Sequence, residues 1–520
     1  MDSAEHPTSP VREFALQLQQ ALRESTDSGS ETWRAVVEEG LSAAYGAGDV
    51  VALCDVVQAI VSLLDAQGRL RDALSEIAHA ISMAGTEANA LTMLHSMRAT
   101  LLAACGEIQL ARQAVTDAER FAATAQLPFA VAKSRTNCAA ARWAVFDPGA
   151  PSAGSFDIEA PSAARLADAL FLMSYLIPYD FAVGARAAAH PWLRTLRLRA
   201  AAAHHEYRLA DARVFEAAQA AVVAPVDEIT IGDVPKWHWM GNWRAEVLRF
   251  RADILHRRWA GAERSMQALL RARRRAGNAR VDDCDGFELL LDALLDRSEG
   301  DRREAQLPGS VHIFNLAAVL AAGEAVATDG SQVAAASWYH WFETDLPPQV
   351  RTSLEWPVSG WRIQALLALR AGNERAAKRN LERALEWAKA AEYPVELAIA
   401  QVQLSELLRH RSVGAERVWR DLRAEGSAAL RNMGLDVAPI AYAVARTAPA
   451  AGKDGLTARL TPRETEVLAH LAEGRTYRAA GAQMGIKWTT VQTLAHRCYE
   501  KLEVSGRQAA VMRARELGIL

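Results

Sequence analysis

The sequence predicts an all-α protein in which a long series of amphipathic helices precedes a small four-helix domain. Ala, Leu, Arg and Glu, which favour helices, are abundant. No convincing run of alternating Val, Ile and Thr indicates a strand. A chain of 520 residues is too long for one compact core, so we expect two to four structural units.

The least periodic stretches predict the domain boundaries. Residues 447–455, TAPAAGKDG, have the small residues of a linker. Residues 147–163 have the composition of a long loop, and residues 1–10 that of a disordered terminus. These boundaries leave a helical region at 11–446 and a C-terminal domain at 456–520.

A glycine followed five residues later by an alanine recurs in the helical region. The pairs are Gly68 and Ala73, Gly106 and Ala111, Gly300 and Ala305, and Gly372 and Ala377. Glycine permits the left-handed turn that ends one helix, and alanine lets the next helix pack closely against it. The pattern resembles the tetratricopeptide repeat, a helical hairpin of about 34 residues. Gly68 and Gly106 are 38 residues apart and the units near 257 and 414 lack a well-placed glycine, so we expect irregular repeats. The alternative is a non-repetitive helical domain with chance matches.

The charge of the chain is divided unevenly. The formal net charge is −3, but residues 456–520 contain ten Lys and Arg against six Asp and Glu. The C-terminal segment is therefore basic and the remainder acidic. This asymmetry indicates a polyanionic partner for the C-terminal segment alone.

The remaining composition predicts a cytoplasmic protein without a membrane segment. The N-terminus MDSAEHPTSPVREF lacks the basic start and apolar run of a signal peptide. The most apolar window, residues 312–327, is shorter than the ~20 residues that cross a bilayer. The five cysteines stand singly, as expected for free thiols in a reducing compartment; they are Cys54, Cys105, Cys138, Cys284 and Cys498.

The C-terminal domain begins with strong helix signals. Thr461, Pro462 and Glu464 have the spacing of a capping box with proline at the first helical position. This helix should end at Gly474, and a second, short helix should run from near Thr476 to Met484. Gly485 then makes a tight turn into a third helix, which is the helix-turn-helix layout. A fourth helix is predicted after a further capping box, Ser505 with Gln508.

The third helix has one apolar and one polar side. Val491, Ala495, Cys498 and Leu502 form the apolar stripe. The opposite side carries cationic and hydrogen-bonding groups but no carboxylate, and three of its residues are threonines, which are poor helix formers. This composition is unusual for a solvated helix.

The segments LTPRETEVLAHLAEG, TTVQT, KLEV and AAV occur here in the order and spacing that resemble the LuxR-type (GerE-like) DNA-binding domain of bacterial transcription regulators. The resemblance implies that the third helix enters the major groove. Its base contacts would come from Gln492, Thr493 and His496. Contacts to the DNA backbone would come from Thr476, Lys487, Thr489, Thr490, Arg497 and Lys501.

The sequence departs from this family at several positions. The usual Lys-Glu-Ile-Ala of the second helix is Arg478, Ala479, Ala480, Gly481; Lys487 replaces a capping serine, and Leu494 replaces a common histidine. These changes put affinity and operator choice in doubt. They leave open a helical scaffold whose C-terminal domain has lost DNA binding and binds protein.

Tryptophans concentrate in two segments of the helical region. Trp237, Trp239 and Trp243 lie in KWHWMGNW, and Trp338 and Trp341 lie in SWYHWFETDLPP. If the segments converge, they could form a ligand or peptide pocket with His238 and His340 as polar groups. Alternatively, they are core residues that seal helix pairs.

Other function classes lack their motifs. The sequence contains no phosphate-binding loop, no receiver-like strand pattern and no H-E-x-x-H or other metal-ligand spacing. We therefore expect neither an enzyme nor a cofactor. The predicted function is a homodimeric transcription regulator that binds a double-stranded DNA operator. Its helical region would sense a small molecule, peptide or protein, and RNA polymerase is a further possible partner.

Overall fold

The computed structural model describes residues 50–66, 68–156, 166–223, 231, 234–235, 238–275, 285–295, 306–411, 416–437, 460–502, 504, 506–516 and 519–520. All regular structure in these residues is helical, as predicted. The chain divides into two compact units, Met1–Thr447 and Ala448–Leu520. Among the described helices, none has the length and apolar character needed to span a membrane. The predicted linker at 447–455, the terminus at 1–10 and part of the loop at 147–163 lie outside the described residues.

The described helices of the first unit are connected mostly by short turns. They are α1 (Val50–Ala66), α2 (Leu70–Ala84), α3 (Ala88–Ala104), α4 (Ile108–Ala122), α5 (Pro128–Ala144), α6 (Leu166–Ala182), α7 (Arg186–Ala202), α8 (Glu206–Val223), α9 (Trp239–Leu255), α10 (Trp259–Arg275), α11 (Asp285–Leu295), α12 (Leu316–Asp329), α13 (Gln332–Thr344), α14 (Gly360–Arg370), α15 (Glu374–Ala390), α16 (Pro394–Arg411) and α17 (Glu416–Asn432). Consecutive helices such as α3 and α4, α9 and α10, and α14 and α15 pack against each other as hairpins.

The glycine and alanine pairs occupy the corners of these hairpins. Gly68, Gly106 and Gly372 have φ angles of 77°, 78° and 86°. Ala73, Ala111 and Ala377, each five residues later, are fully buried. The structural roles predicted for these pairs are therefore confirmed, whereas Gly300 and Ala305 lie outside the described residues. The resemblance to tetratricopeptide repeats stays a prediction.

Several corners lack glycine yet adopt the same left-handed turn. Phe146, His204, Arg257 and Glu392 have φ angles between 49° and 57°, a region that residues with a Cβ rarely occupy. Arg257 lies between α9 and α10, where no well-placed glycine was found in the sequence. The packing of helix against helix must offset the local strain, which is why a glycine pattern alone misses these corners.

A buried ionic cluster joins α9, α12, α14 and α16. Arg362 donates to Glu396 Oε1 at 2.6 Å and to Glu324 Oε1 at 2.8 Å. The indole of Trp356 donates to Glu324 Oε2 at 2.9 Å, and the Arg251 guanidinium lies 3.5 Å from the same oxygen. Because two arginines face two glutamates, this cluster of Arg251, Glu324, Arg362 and Glu396 is formally neutral.

The second unit contains the four predicted helices. They are α18 (Pro462–Ala472), α19 (Tyr477–Met484), α20 (Trp488–Lys501) and α21 (Arg507–Glu516). Their shared core includes Val467, Leu468, Leu471, Ala480, Val491, Ala495, Cys498, Leu502, Ala510 and Ala514. The apolar stripe predicted for the third helix is therefore confirmed.

The predicted helix ends of this unit are also present. In the capping box, the Glu464 amide donates to Thr461 Oγ1 at 3.2 Å and the Thr461 amide donates to Glu464 Oε2 at 2.7 Å. Thr476 caps α19, and Gly474 and Gly485 have φ angles of 85° and 66°. The capping box at Ser505 lies partly outside the described residues.

The cysteines in the described part of the chain form no disulfides. They are Cys54, Cys105, Cys138 and Cys498, and their unbridged state agrees with the prediction. Burial raises the pKa of the Cys498 thiol to about 12. The thiol therefore stays protonated and donates to the carbonyl oxygen of Glu464 at 3.3 Å. Cys284 lies outside the described residues.

Candidate nucleic-acid interface

Helix α20 divides into a buried and an exposed side. Val491, Ala495 and Cys498 are fully buried in the domain core. The residues predicted to contact DNA lie on the other side, where Thr489, Thr490, Thr493, His496 and Arg497 are exposed and Gln492 is half-buried. Since the buried side already supplies the helix's contribution to the core, the outward residues are available to a partner.

The start of α20 is held very close to α19. A Cβ on Gly481 would lie 2.8 Å from the carbonyl oxygen of Ile486 and 3.3 Å from Trp488 Cα. Glycine therefore fits where the family usually has alanine, because the turn between the two helices leaves no room for a methyl group.

Replacing Gly481 by alanine should destabilise the second unit. The added methyl group must push the turn outward, at a cost of about 1 to 3 kcal/mol despite the better helix propensity of alanine. Hydrogen exchange of the full chain should show faster exchange of amides in α19 and α20. The matched control is Ala482→Gly, in the same helix at an exposed position, which should cost no more than about 1 kcal/mol. Equal amide protection from exchange in the wild type and in Gly481→Ala would show that the turn has room for the methyl group.

The candidate base-reading residues differ in the groups they can offer. The Thr493 hydroxyl donates to the Thr489 carbonyl oxygen at 3.0 Å, so its methyl group and both oxygen lone pairs remain for a partner. The His496 ring lies edge-on to Tyr499, with ring centroids 5.8 Å apart. The side chain of Tyr499 thus limits the rotation of an otherwise exposed imidazole.

Two candidate phosphate contacts lie at helix starts. The Thr476 hydroxyl accepts the Ala479 amide at 3.2 Å, which leaves its own proton for a phosphate oxygen. Lys487 is exposed directly before α20. A phosphate near the first turn of either helix would meet backbone amides as well as these side chains.

Lys501 has a structural partner that the sequence did not reveal. Its ammonium lies 2.8 Å from Glu464 Oε2, the carboxylate of the capping box, and Glu464 is almost completely buried. The two residues are 37 positions apart, so no local pattern connects them. Lys501 remains a candidate for the DNA backbone, but its loss would also disturb the first helix of the domain.

Two exposed residues beside this surface were not among the predicted contacts. Trp488, 47% exposed, is the first residue of α20, and Arg478 is exposed on α19. A large exposed aromatic residue next to Lys487 is a signal that the sequence offered, since neighbouring basic and aromatic residues are common at nucleic-acid sites.

Three of the five tryptophans named for the pocket, Trp243, Trp338 and Trp341, are buried in the first unit. Trp243 contacts Phe287, whereas Trp338 contacts Trp341 and Phe342. The described part of the chain shows no ring contact between the two groups, and Trp237 lies outside it. Trp239 is half-buried and donates its indole N–H to the Ala272 carbonyl oxygen at 3.1 Å. The shared pocket stays a prediction.

The two histidines named with that pocket have different surroundings. His238 is fully buried. It caps α9 by accepting the Gly241 amide at 3.0 Å, and its other nitrogen lies 3.1 Å from Asp211. His340 is exposed. His238 therefore holds a helix end rather than lining an accessible surface.

The fold and surface of the second unit define a small helix-turn-helix domain of the DNA-binding class. Its second and third helices meet at a glycine turn, and the third presents a polar, cationic side. Residues 458–514 match the LuxR family of bacterial regulatory proteins, the GerE-type domain. This match supports the assignment of the chain to the DNA-binding transcription regulators. No curated protein matches the chain, and no solved structure matches it either.

Proposed function

We propose that this protein is a bacterial, sequence-specific transcription regulator whose C-terminal domain reads DNA through α20. One observation carries the proposal: α20 buries its apolar side in the domain and exposes Thr489, Thr490, Thr493, His496 and Arg497 on the other. An α-helix with such an exposed side fits the major groove of B-DNA.

The residues have distinct proposed roles. Gln492 can pair with the two hydrogen-bonding groups of adenine, the Thr493 methyl group can contact thymine, and His496 can donate to guanine. Thr476, Lys487, Thr489, Thr490, Arg497 and Lys501 contact phosphates and fix the position of the domain on the duplex.

A homodimer accounts best for specific binding by so small a domain. One domain reads few base pairs, so two domains on a two-fold symmetric site would give the affinity that regulation requires. The helical region senses a small molecule, peptide or protein, and RNA polymerase is the proposed partner during transcription.

Titration of full-length protein against its best sequence from a random DNA pool tests this function. With about four to eight phosphate contacts per dimer, log affinity should fall with log salt with a slope of about −4 to −7. Lys487→Ala should reduce the slope by about 2, one contact from each protomer, and weaken all sequences alike. A slope near zero would refute DNA binding.

The same titration separates base reading from phosphate binding. Gln492→Ala and His496→Ala should each lower the preference for the selected site over random DNA by about tenfold or more. Lys378→Ala, on the surface of α15 in the first unit, should behave as wild type. If Gln492→Ala, His496→Ala and Lys487→Ala lose specific and random binding equally, the assigned roles are wrong.

The alternative is a scaffold whose C-terminal domain binds protein. Leu494 packs on the domain core, where the family commonly has a histidine, and Ala479 and Lys487 are exposed departures from the family. Purification that retains no genomic DNA, together with a zero salt slope and a retained protein partner, would favour this function.

A further inference from the structure

Two arginines of the first unit stack on one tryptophan. The guanidinium carbon of Arg351 lies 4.4 Å from the centroid of the Trp361 ring, and that of Arg383 lies 4.9 Å from the same centroid. Arg351 comes from the segment between α13 and α14, Trp361 is the second residue of α14, and Arg383 belongs to α15. Three separate segments thus bring two positive charges together, at most the sum of these two distances apart.

The chain supplies no counter-ion for this pair in its described residues. Neither Arg351 nor Arg383 forms an ion pair there, and Glu386, one turn after Arg383 on α15, is exposed. Burial, followed by the charge of Arg383, lowers the pKa of Arg351, and no carboxylate opposes these two effects. Both guanidinium groups are nevertheless charged at neutral pH. Two neighbouring like charges without a counter-ion repel each other, so an anion that joins them would be stabilised.

The two arginines have N–H groups that can donate to such an anion. Arg351 Nη1 donates to the Val350 carbonyl oxygen at 2.6 Å. No acceptor in the described part of the chain binds Arg351 Nε or Nη2, or any side-chain nitrogen of Arg383, and these nitrogens are open to solvent. A guanidinium that stacks through its face keeps the N–H groups at its edge available for an oxyanion.

The backbone holds Arg351 beside the start of α14. The Arg351 amide donates to the Ala182 carbonyl oxygen at the end of α6, at 2.7 Å, and the Gly360 amide donates to the Arg351 carbonyl oxygen at 2.7 Å. Arg351 and Trp361 are therefore positioned before a ligand arrives, which reduces the entropy that binding costs. The positive end of the α14 dipole lies at the same place and also favours an anion.

We infer that the cluster of Arg351, Trp361 and Arg383 binds the dianionic phosphate group of a small molecule. Its two guanidinium groups match the two negative charges that a phosphate carries above its second pKa. A carboxylate would neutralise only one of them. The inference gives the sensory region of the proposed function a ligand class, and only its regulatory consequence rests on that function.

Two probes of similar shape test the ligand class at about pH 8, where the phosphate group is a dianion. Glycerol phosphate should bind the full-length protein in the absence of DNA, as measured by saturation-transfer NMR. Glycerate at equal ionic strength has one charge and should bind at least about fivefold more weakly. Equal binding of both probes, or binding of neither, would overturn the inference.

Inorganic phosphate distinguishes the two sources of the phosphate group. It should displace glycerol phosphate from the cluster. Displacement below the Kd of glycerol phosphate would assign the site to the free ion, and displacement only above that Kd would assign it to a phosphate ester. Failure to displace glycerol phosphate at any concentration would contradict recognition of the phosphate group.

The variant Arg383→Gln tests the location, since the basic C-terminal unit could also attract phosphate. It should bind glycerol phosphate at least about fivefold more weakly because one charge and its donors are lost. Its thermal midpoint without probe should stay close to that of the wild type, because Arg383 is exposed. The matched control Arg375→Gln removes the same charge from an exposed position two turns earlier on α15 and should bind as wild type, as should Lys487→Ala. Unchanged binding by Arg383→Gln, or an equal loss in either control, would contradict the inference.

The outcomes for this cluster and for DNA binding are separable. Absence of probe binding with a steep salt dependence of DNA binding would overturn the phosphate site and leave the proposed function intact. Probe binding that depends on Arg383, together with a zero salt slope, would do the opposite.

Discussion

Replacement of Arg362 by alanine should lower the free energy of unfolding of the helical region by about 3 to 5 kcal/mol. Arg362 bonds both Glu324 and Glu396, and all three side chains are at most 12% exposed. Without the guanidinium, two buried carboxylates lose their principal partner. The expected penalty comes from these unpaired charges and exceeds the net stabilisation that the ion pairs provide.

The loss of stability in Arg362→Ala should be larger at neutral pH than in acid. Burial alone would raise the pKa of Glu324, but Arg251, Arg362 and the hydrogen bonds outweigh it and hold the pKa below the ordinary value of 4.5. This carboxylate therefore contributes stability above pH 4.5 that is lost as the pH falls through its lower, folded-state pKa. Because Arg362→Ala removes part of that contribution, the gap between wild type and variant should be widest at neutral pH and shrink in acid.

Urea unfolding followed by tryptophan fluorescence measures this effect. Of the 14 tryptophans, only Trp488 lies in the C-terminal unit, so the signal reports mainly on the helical region. Lys378→Ala is the control, since its pair with Glu382 is on the surface and should be worth less than about 0.5 kcal/mol. Two results would show that Arg362 does not stabilise the two carboxylates as described. They are a loss of unfolding free energy below about 1 kcal/mol in Arg362→Ala, and a difference between wild type and variant that does not change with pH.

Replacement of Glu464 by alanine should destabilise the C-terminal unit by about 2 to 3 kcal/mol. One carboxylate oxygen accepts both the Thr461 amide and the Lys501 ammonium, at 2.7 and 2.8 Å. The substitution ends the capping box and leaves Lys501 without this partner. The ion pair with Lys501 contributes only a small part of this loss in stability. The Lys501 side chain is 27% exposed, and solvent screens its charge.

Hydrogen exchange of the full chain separates this effect from general unfolding. Amides of α18 and α20 should exchange faster in Glu464→Ala, while those of the helical region keep their wild-type rates. Glu466→Ala is the control in the same helix, because its pair with Arg463 is exposed and should be worth about 0.5 kcal/mol or less. Similar protection in the two variants would contradict the proposed role of Glu464.

Features encoded by neighbouring residues were predictable from the sequence. The capping box at Thr461, the left-handed glycines and the apolar stripe of α20 each depend on spacings of a few positions. The Lys501–Glu464 pair and the cluster around Arg362 link residues that are more than 30 positions apart. Their partners depend on how helices pack, and one sequence contains no local sign of that packing.

The site was predictable to a similar extent. The exposed side of α20 followed from periodicity and from the resemblance to LuxR-type domains. The capping role of His238 did not follow. It depends on Asp211, which reaches the His238 ring only when α8 packs beside the start of α9.

The buried and exposed sides of α20 have separate roles, which affects how a regulator of this kind would acquire new DNA sites. The residues that hold the helix in the domain core do not include Gln492, Thr493 or His496, so exchanges at these three positions leave that core unchanged. Under the proposed function, a few point mutations at these positions would change the DNA sequence that the protein reads, at little cost to the stability of the domain.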